Sequence, residues 1–178
     1  GAARAKNRPA ILMINELLYD AVGGDTDGDV FVELSGNAGG EIGGYKLVFV
    51  NGDDGVIKDV VTLPDSARLS EEGLFVVADA KTGQSSVSDV AGANYITNFD
   101  PQNGPDCVQL LNDSGGLVDA IGYGEPIVDM AENGLPCFEG TPTAAVSSGR
   151  SLSRVDGRDT DDNSADFTPA EIPSPGVP

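Results

Sequence analysis

Residues 106–124, DCVQLLNDSGGLVDAIGYG, hold the pattern that decides the fold class. Two short apolar runs, 106–111 and 117–124, flank the polar segment NDSGG, whose residue types favour tight turns. Short apolar runs bounded by turn residues are typical of β-strands rather than helices. The stretch therefore predicts a β-hairpin.

The same alternation of short apolar runs and turn residues continues through the rest of the chain. Further runs bounded by Gly, Asn, Asp or Pro occur at 10–20, 29–36, 44–52, 56–64, 73–79 and 151–155. About eight strands at this spacing predict an all-β sandwich or barrel. The residues left over predict two long loops, at 80–105 and 125–150.

The composition excludes several classes of enzyme. The 178 residues include no His, which is the commonest general base near neutral pH and the commonest metal ligand. Ser-His and Cys-His catalytic arrangements and His-containing zinc sites are therefore excluded. We expect no enzymatic activity, and we expect any bound metal to be a hard cation held by oxygen atoms.

The charge is large, negative and unevenly distributed. Ten basic and 29 acidic residues give a net charge of 10 − 29 = −19. Residues 1–9 carry three basic side chains and no acid, so the remainder carries 7 − 29 = −22. This division predicts a flexible basic leader at 1–9 and one folded domain at 10–178. A domain this acidic is a poor ligand for nucleic acid or an anionic membrane.

The composition also bears on location. No stretch approaches the roughly 18 consecutive apolar residues of a membrane span, so we expect no membrane insertion. A very acidic, lysine-poor chain suits a secreted or cell-surface protein. A signal peptide, if the gene encodes one, lies outside these residues.

Two cysteines, Cys107 and Cys137, allow two readings. In a reducing cytosol they are free thiols, and two thiolates without His are too few for a usual zinc site. In an oxidising compartment they can close a disulfide worth roughly 3 kcal/mol by loop-entropy arguments. For an exported protein we therefore expect a disulfide between Cys107 and Cys137.

Three groups of motifs occur in order along residues 11–178. They are INEL (14–17) with FVEL (31–34) and GYKL (44–47), VQLL (108–111) with GLVD (116–119) and YG (123–124), and GRSLSR (149–154) with DTDDN (159–163), DF (166–167) and PSPG (173–176). Together they resemble the lamin tail domain, in the form found in secreted and surface proteins of bacteria. Tyr45 stands where that family usually has Trp, and the two long loops are also departures from it.

The resemblance implies an immunoglobulin-like β-sandwich without catalytic apparatus. Such domains serve as binding or scaffolding modules, so we expect a partner that is a protein or a cell-surface component. The long loops, or an exposed strand edge, would contact it. Two alternatives are an accessory domain of a secreted metal-dependent hydrolase, such as a nuclease or phosphoesterase, and a calcium-dependent carbohydrate-binding module.

Two oxygen-rich segments are candidate calcium sites. Ca²⁺ binds six to eight oxygen ligands, and alternating carboxylates on a turning backbone can supply them. The candidate ligands are Asp25, Asp27 and Asp29 in the first segment and Asp159, Asp161, Asn163 and Asp166 in the second. The alternative is that these side chains form Asx turns with their own backbone.

Two pairs of charged residues have structural interpretations. Glu16 and Glu33, on consecutive predicted strands, could form a glycosidase-like carboxylate pair, but the chain has no Trp to make a sugar platform. We expect them to bind backbone amides or an arginine, and we expect Arg150 and Arg154 to pair with local carboxylates of the acidic tail that follows residue 155.

Overall fold

The chain folds into two β-sheets in a computed structural model that describes residues 2–125 and 127–178. The ten strands of the described residues are β1 (Leu12–Leu18), β2 (Phe31–Gly36), β3 (Lys46–Asn51), β4 (Ile57–Thr62), β5 (Leu74–Asp79), β6 (Tyr95–Thr97), β7 (Asp106–Leu111), β8 (Leu117–Tyr123), β9 (Ser151–Arg154) and β10 (Phe167–Ala170). A single helical turn, α1 (Asn163–Asp166), precedes β10. Gly1 and Pro126, which fall in the predicted leader and the predicted 125–150 loop, lie outside the described residues.

The two sheets form a sandwich around one main core. The larger sheet has the strand order β10-β9-β1-β2-β5-β6, and the smaller has β4-β3-β7-β8. Strands alternate their side chains between two faces, so every second residue points into the space between the sheets. Leu34 of β2 and Leu110 of β7, for example, are fully buried in the same core cluster. The expected all-β sandwich is confirmed, as is the β7–β8 hairpin.

The sequence pattern does not predict two of the strands, β6 and β10. Strand β6 has only three residues and pairs in parallel with β5, so it carries no hairpin signal. Strand β10 pairs with β9 and contains Pro169, a residue that normally argues against a strand. Strand β10 is the outermost strand of its sheet, where a missing N–H donor is tolerated.

Each sheet is covered on its outer face as well. Against the smaller sheet, the segment 127–138 packs a second apolar cluster that includes Val48, Val50 and Leu111. A disulfide between Cys107 in β7 and Cys137 joins this segment to the sheet. The expected disulfide is thus present. Residues 127–138 of the predicted loop are therefore a covering layer rather than a projecting loop.

The larger sheet is covered by two shorter segments. Val90 packs on a small cluster formed by Leu18, Phe31 and Val76. Next to it, residues 173–176 lie across β1 and β2, and Gly176 approaches Gly92 so closely that a Cβ on Gly92 would stand 3.4 Å from the Gly176 Cα. The outer face of this sheet is thus also occupied by the chain itself.

The edges of the smaller sheet carry side-chain caps. On β4, the backbone N–H groups of Ile57 and Val60 donate to the carboxylates of Glu132 and Asp59. On β8, the side-chain amide of Asn163 accepts from the N–H of Gly122 and donates to the carbonyl of Ala120.

The three basic residues of the predicted leader contact acidic groups. Arg8 pairs with Asp113 at 2.6 Å, Lys6 pairs with the same carboxylate at 3.5 Å, and Arg4 lies 3.7 Å from Glu41. These contacts place the leader at the end of the sandwich that holds the β7–β8 turn. Among the described residues, none of the helices has the length and apolar character that a membrane span needs.

Candidate functional site

Seven carboxylates gather at one end of the sandwich, which we call the acidic end. The antiparallel register places the end of β1 beside the start of β2 and the end of β5, and β6 ends there too. Loops leaving these strands, together with β4, supply the carboxylates of the acidic end: Asp25, Asp27, Asp29, Asp59, Asp79, Asp89 and Asp100.

Hydrogen bonds to the backbone fix the loops of this end. Asp79, at the end of β5, is 2 % exposed and accepts from the N–H groups of Gly28 and Phe99. Asp27 accepts from the N–H of Thr82 at 3.2 Å. The acidic end is therefore built on a rigid frame.

Burial and nearby like charges raise the pKa of three carboxyl groups at the acidic end. Burial, followed by the charges of Asp89 and Asp27, raises the pKa of Asp29. Burial raises the pKa of Asp100 and of Asp79 as well, and neighbouring carboxylates add to both shifts. Lys81, bound to Asp89 at 2.8 Å, offsets this repulsion only in part.

The acidic end contains the first predicted calcium segment. The structure brings Asp25, Asp27 and Asp29 to the same end, but it also gives the first two of them backbone partners. Asp25 accepts from the N–H of Ala21 at 2.8 Å, and Asp27 accepts from Thr82. Neither bond is an Asx turn, because Ala21 and Thr82 do not lie two residues after the aspartates, and the calcium role stays a prediction.

Two small cavities flank the 25–29 loop. One, of about 230 Å³, is lined by Asp59, Asp79, Asp100 and the ring of Phe99. The other, of about 240 Å³, lies between the 88–92 segment and Pro173 and Pro175, with Asp29 and Asp89 at its lip. Both are smaller than typical small-molecule sites.

A second acidic group surrounds Arg154, which lies fully buried between the sheets. Its guanidinium donates to Asp119 of β8 at 2.8 Å and to the carbonyl of Ile14 in β1 at 2.9 Å. Its Nη1 lies 3.5 Å from Asp159 and 3.6 Å from Asp166. The guanidinium carbon Cζ lies 4.5 Å from the centre of the Phe167 ring. The expected pairing of Arg154 with carboxylates of the acidic tail is confirmed.

Glu139 completes this second group. Oxygen atoms of Asp119, Glu139 and Asp159 all lie within 4.8 Å of one another. The Oε2 of Glu139 is buried and accepts no hydrogen bond from the described residues. Burial, with the nearby charges of Asp119 and Asp159, raises the pKa of Glu139 to about 8, so near neutral pH this carboxyl keeps its proton beside Asp119.

The second predicted calcium segment is only partly assembled at this group. Asp159 belongs to it, whereas Asn163 binds the edge of β8 and the N–H of Glu139. Both Asp166 oxygens are used by Thr160, through its N–H at 2.8 Å and its hydroxyl at 2.7 Å. Asp161 is exposed. The four side chains therefore do not converge as a single ligand set.

The remaining charged pairs have structural partners. Glu16 and Glu33 lie opposite each other on β1 and β2. Glu16 accepts from the N–H of Ser174 at 2.9 Å, and Glu33 accepts from the N–H of Gly176. Their expected binding of backbone amides is confirmed, and so is the pairing of Arg150 with a nearby acid, since it binds Glu171 at 2.9 Å.

Sequence reasoning missed Glu139 as a member of an acidic group, because it lies in a segment without strand periodicity. Asp119 appeared only as a motif residue, and its inward direction follows from its place in β8. No family model matches the sequence, and no curated protein matches it significantly.

Proposed function

We propose that this protein is a non-catalytic, extracellular binding module that attaches to a positively charged protein or cell-surface component through its acidic end. The observation that carries the proposal is the concentration of seven carboxylates at one end, where burial, and after it neighbouring charges, raise the pKa values of Asp29, Asp79 and Asp100. Charges held at this spacing oppose folding, and a cationic partner would relieve their repulsion.

The covered outer faces of the sandwich also favour the acidic end as the surface that contacts the partner. Both outer faces are occupied by segments of the chain, and the edges of the smaller sheet carry side-chain caps. These features disfavour strand addition to the smaller sheet as the mode of binding. The acidic end, in contrast, presents exposed carboxylates such as Asp27 and Asp100 to solvent.

The disulfide supports the extracellular part of the proposal. Cys107 is 1 % exposed and Cys137 is fully buried, and the bond between them holds a whole covering segment. Disulfides of this structural kind persist in oxidising compartments and are rare in the cytosol.

The test is binding of a fluorescent ten-residue peptide of alternating arginine and serine, followed by anisotropy. We expect salt-dependent binding that weakens about tenfold or more in the triple variant Asp27→Asn/Asp89→Asn/Asp100→Asn. The matched control is Asp65→Asn/Glu71→Gln/Glu72→Gln at the opposite end of the sandwich. Each triple variant shifts the net charge from −19 to −19 + 3 = −16. Equal losses in both triples would mean that net charge, and not the acidic end, attracts the peptide.

We propose in addition that a calcium ion stabilises the fold at Asp119, Glu139 and Asp159. The buried, unpartnered Oε2 of Glu139 fits such an ion, because a cation would supply the partner that this oxygen lacks among the described residues. Arg154 neutralises one of the three carboxylates, so the ion would meet a net charge of about −2 after Glu139 loses its proton.

Thermal melting in calcium and in chelator tests this addition. We expect calcium to raise the melting temperature of the unaltered protein and to leave that of Glu139→Gln unchanged. The variant Asp25→Asn/Asp27→Asn serves as the control, since it removes the other predicted calcium segment. A calcium response lost in the control and kept in Glu139→Gln would place the ion at the acidic end instead.

A further inference from the structure

The cavity of about 240 Å³ beside the acidic end is a groove with an apolar floor and an acidic lip. Its floor is formed by Leu18 and Phe31, on the outer face of the larger sheet. Pro173 forms part of one wall and Val90 part of the other.

The acidic lip consists of Asp29 and Asp89. Lys81 binds Asp89 from outside the groove lining and leaves Asp29 without an ion-pair partner within 4 Å among the described residues. A side chain that lay along the groove would therefore contact the apolar floor along its length and the negative charge of the lip at its end.

The proline wall is fixed in place before any partner arrives. Ser174, between the two prolines, donates from its N–H and its hydroxyl to Glu16 at 2.9 Å and 3.1 Å. Gly176 donates to Glu33, and its backbone lies against Gly92. Two buried glutamates thus hold the segment 173–176 over the sheet, and a preformed groove loses less entropy on binding than one that must be ordered.

The size and chemistry of the groove select its occupant. Its volume is below that of typical sites for drug-sized molecules, and it suits one long side chain. An arginine side chain places apolar methylene groups against apolar surface and a weakly hydrated guanidinium beside carboxylates. A hydrophobic side chain would leave Asp29, the lip carboxylate that Lys81 does not bind, without an ion-pair partner.

We infer that this groove receives the side chain of an arginine from the basic partner. The inference rests on the proposed function and names the residue type through which the partner is recognised. Pro173 and Pro175 position the guanidinium against Asp29 and Asp89, while the remaining carboxylates of the acidic end attract the partner at longer range.

The experiment uses the same arginine–serine peptide and a version in which citrulline, its neutral isostere, replaces every arginine. The variant Ala91→Trp fills the groove from an exposed position that lines it, without changing any charge. Ala38→Trp, exposed at the opposite end, is the matched control. The variant Asp29→Asn removes part of the lip and leaves the groove open.

We expect Ala91→Trp and Asp29→Asn each to weaken peptide binding about tenfold, Ala38→Trp to have no effect, and the citrulline peptide not to bind. Peptide binding that Ala91→Trp leaves unchanged would overturn the groove assignment while the proposed function stands. Absence of binding to the unaltered protein would overturn both. Circular dichroism melts of the three variants verify that each is folded.

Discussion

The carboxylate of Asp119 in β8 accepts a hydrogen bond of 2.7 Å from the backbone N–H of Ile14 in β1, so a single buried side chain joins the two sheets. The same oxygen accepts from Arg154 of β9. The register between β1 and β2 shifts at Ile14 and Glu16, which leaves Asn15 in a bulge. Such a bulge re-aims local groups, and here the N–H of Ile14 is directed to the other sheet.

We predict that Asp119→Ala lowers the free energy of unfolding by about 3 kcal/mol, because it leaves the buried guanidinium of Arg154 without its closest carboxylate. Urea denaturation measures the loss. Glu171→Ala is the control, since its pair with Arg150 is exposed to solvent and should contribute less than about 1 kcal/mol. A loss no larger than that of the control would show that Asp119 is dispensable for joining the sheets.

A second prediction concerns pH. The pKa of Glu139 is raised to about 8 in the folded state from an ordinary value of 4.5, so the folded protein binds a proton that the unfolded chain releases. This contribution to stability is fully present below pH 4.5 and is lost as the pH rises through 8.

The variant Glu139→Gln isolates this effect, since it keeps a neutral side chain at every pH. In chelator, we expect the stability advantage of the unaltered protein, relative to the variant, to decrease from pH 5 to about pH 8 and to be constant above that pH. Denaturation curves at several pH values give the difference. A difference that is constant with pH would place the titration elsewhere.

Removal of the disulfide is the third prediction. The bond between Cys107 and Cys137 closes a loop with a sequence separation of 30 residues. Loop entropy alone predicts that Cys107→Ala/Cys137→Ala lowers the free energy of unfolding by roughly 3 kcal/mol. We also expect faster amide exchange in 127–138, because only apolar contacts and hydrogen bonds, such as those that Leu135 and Pro136 accept from Gln109, would then hold this segment. Unchanged exchange there would indicate that packing, and not the disulfide, fixes the segment.

The fourth prediction tests the support of the proline wall. Glu33→Ala removes the acceptor of the Gly176 N–H, and we expect the exchange rate of that amide to rise by about tenfold or more. Glu71→Ala, at an exposed position with no such partner, provides the comparison. Amide exchange followed by NMR measures both. Equal rates at Gly176 in the two variants would mean that the close approach of Gly92 and Gly176 holds the segment without the carboxylate.

Most of the fold could be predicted because its signals are local. The turn segments NDSGG and NGDDG mark two hairpins, and short apolar runs mark the strands between them. Strands β6 and β10 have no local signal of this kind. The first is too short and the second contains Pro169, so their pairing depends on neighbours that only the folded chain supplies.

The acidic groups, in contrast to the strands, could not be predicted from local sequence. Aspartates close together in sequence suggested ligand sets, but other residues of the folded chain already bind several of these side chains. Asp166 is used by Thr160 and lies near Arg154, and Asn163 completes the edge of β8. Glu139 meets Asp119 only because a covering segment returns to the sandwich. Density of acidic residues in a sequence therefore indicates charge, but tertiary structure decides which oxygens converge.

The capped edges of the smaller sheet affect how copies of this chain can pair with one another. Open strand edges allow β-proteins to polymerise, because the edge strand of one copy can pair with the edge strand of the next. In this chain the side chains of Glu132 and Asp59 cover amides of β4, and Asn163 covers β8. These three amides are not free to pair with a strand of a neighbouring copy, so the smaller sheet is protected there against edge-to-edge pairing.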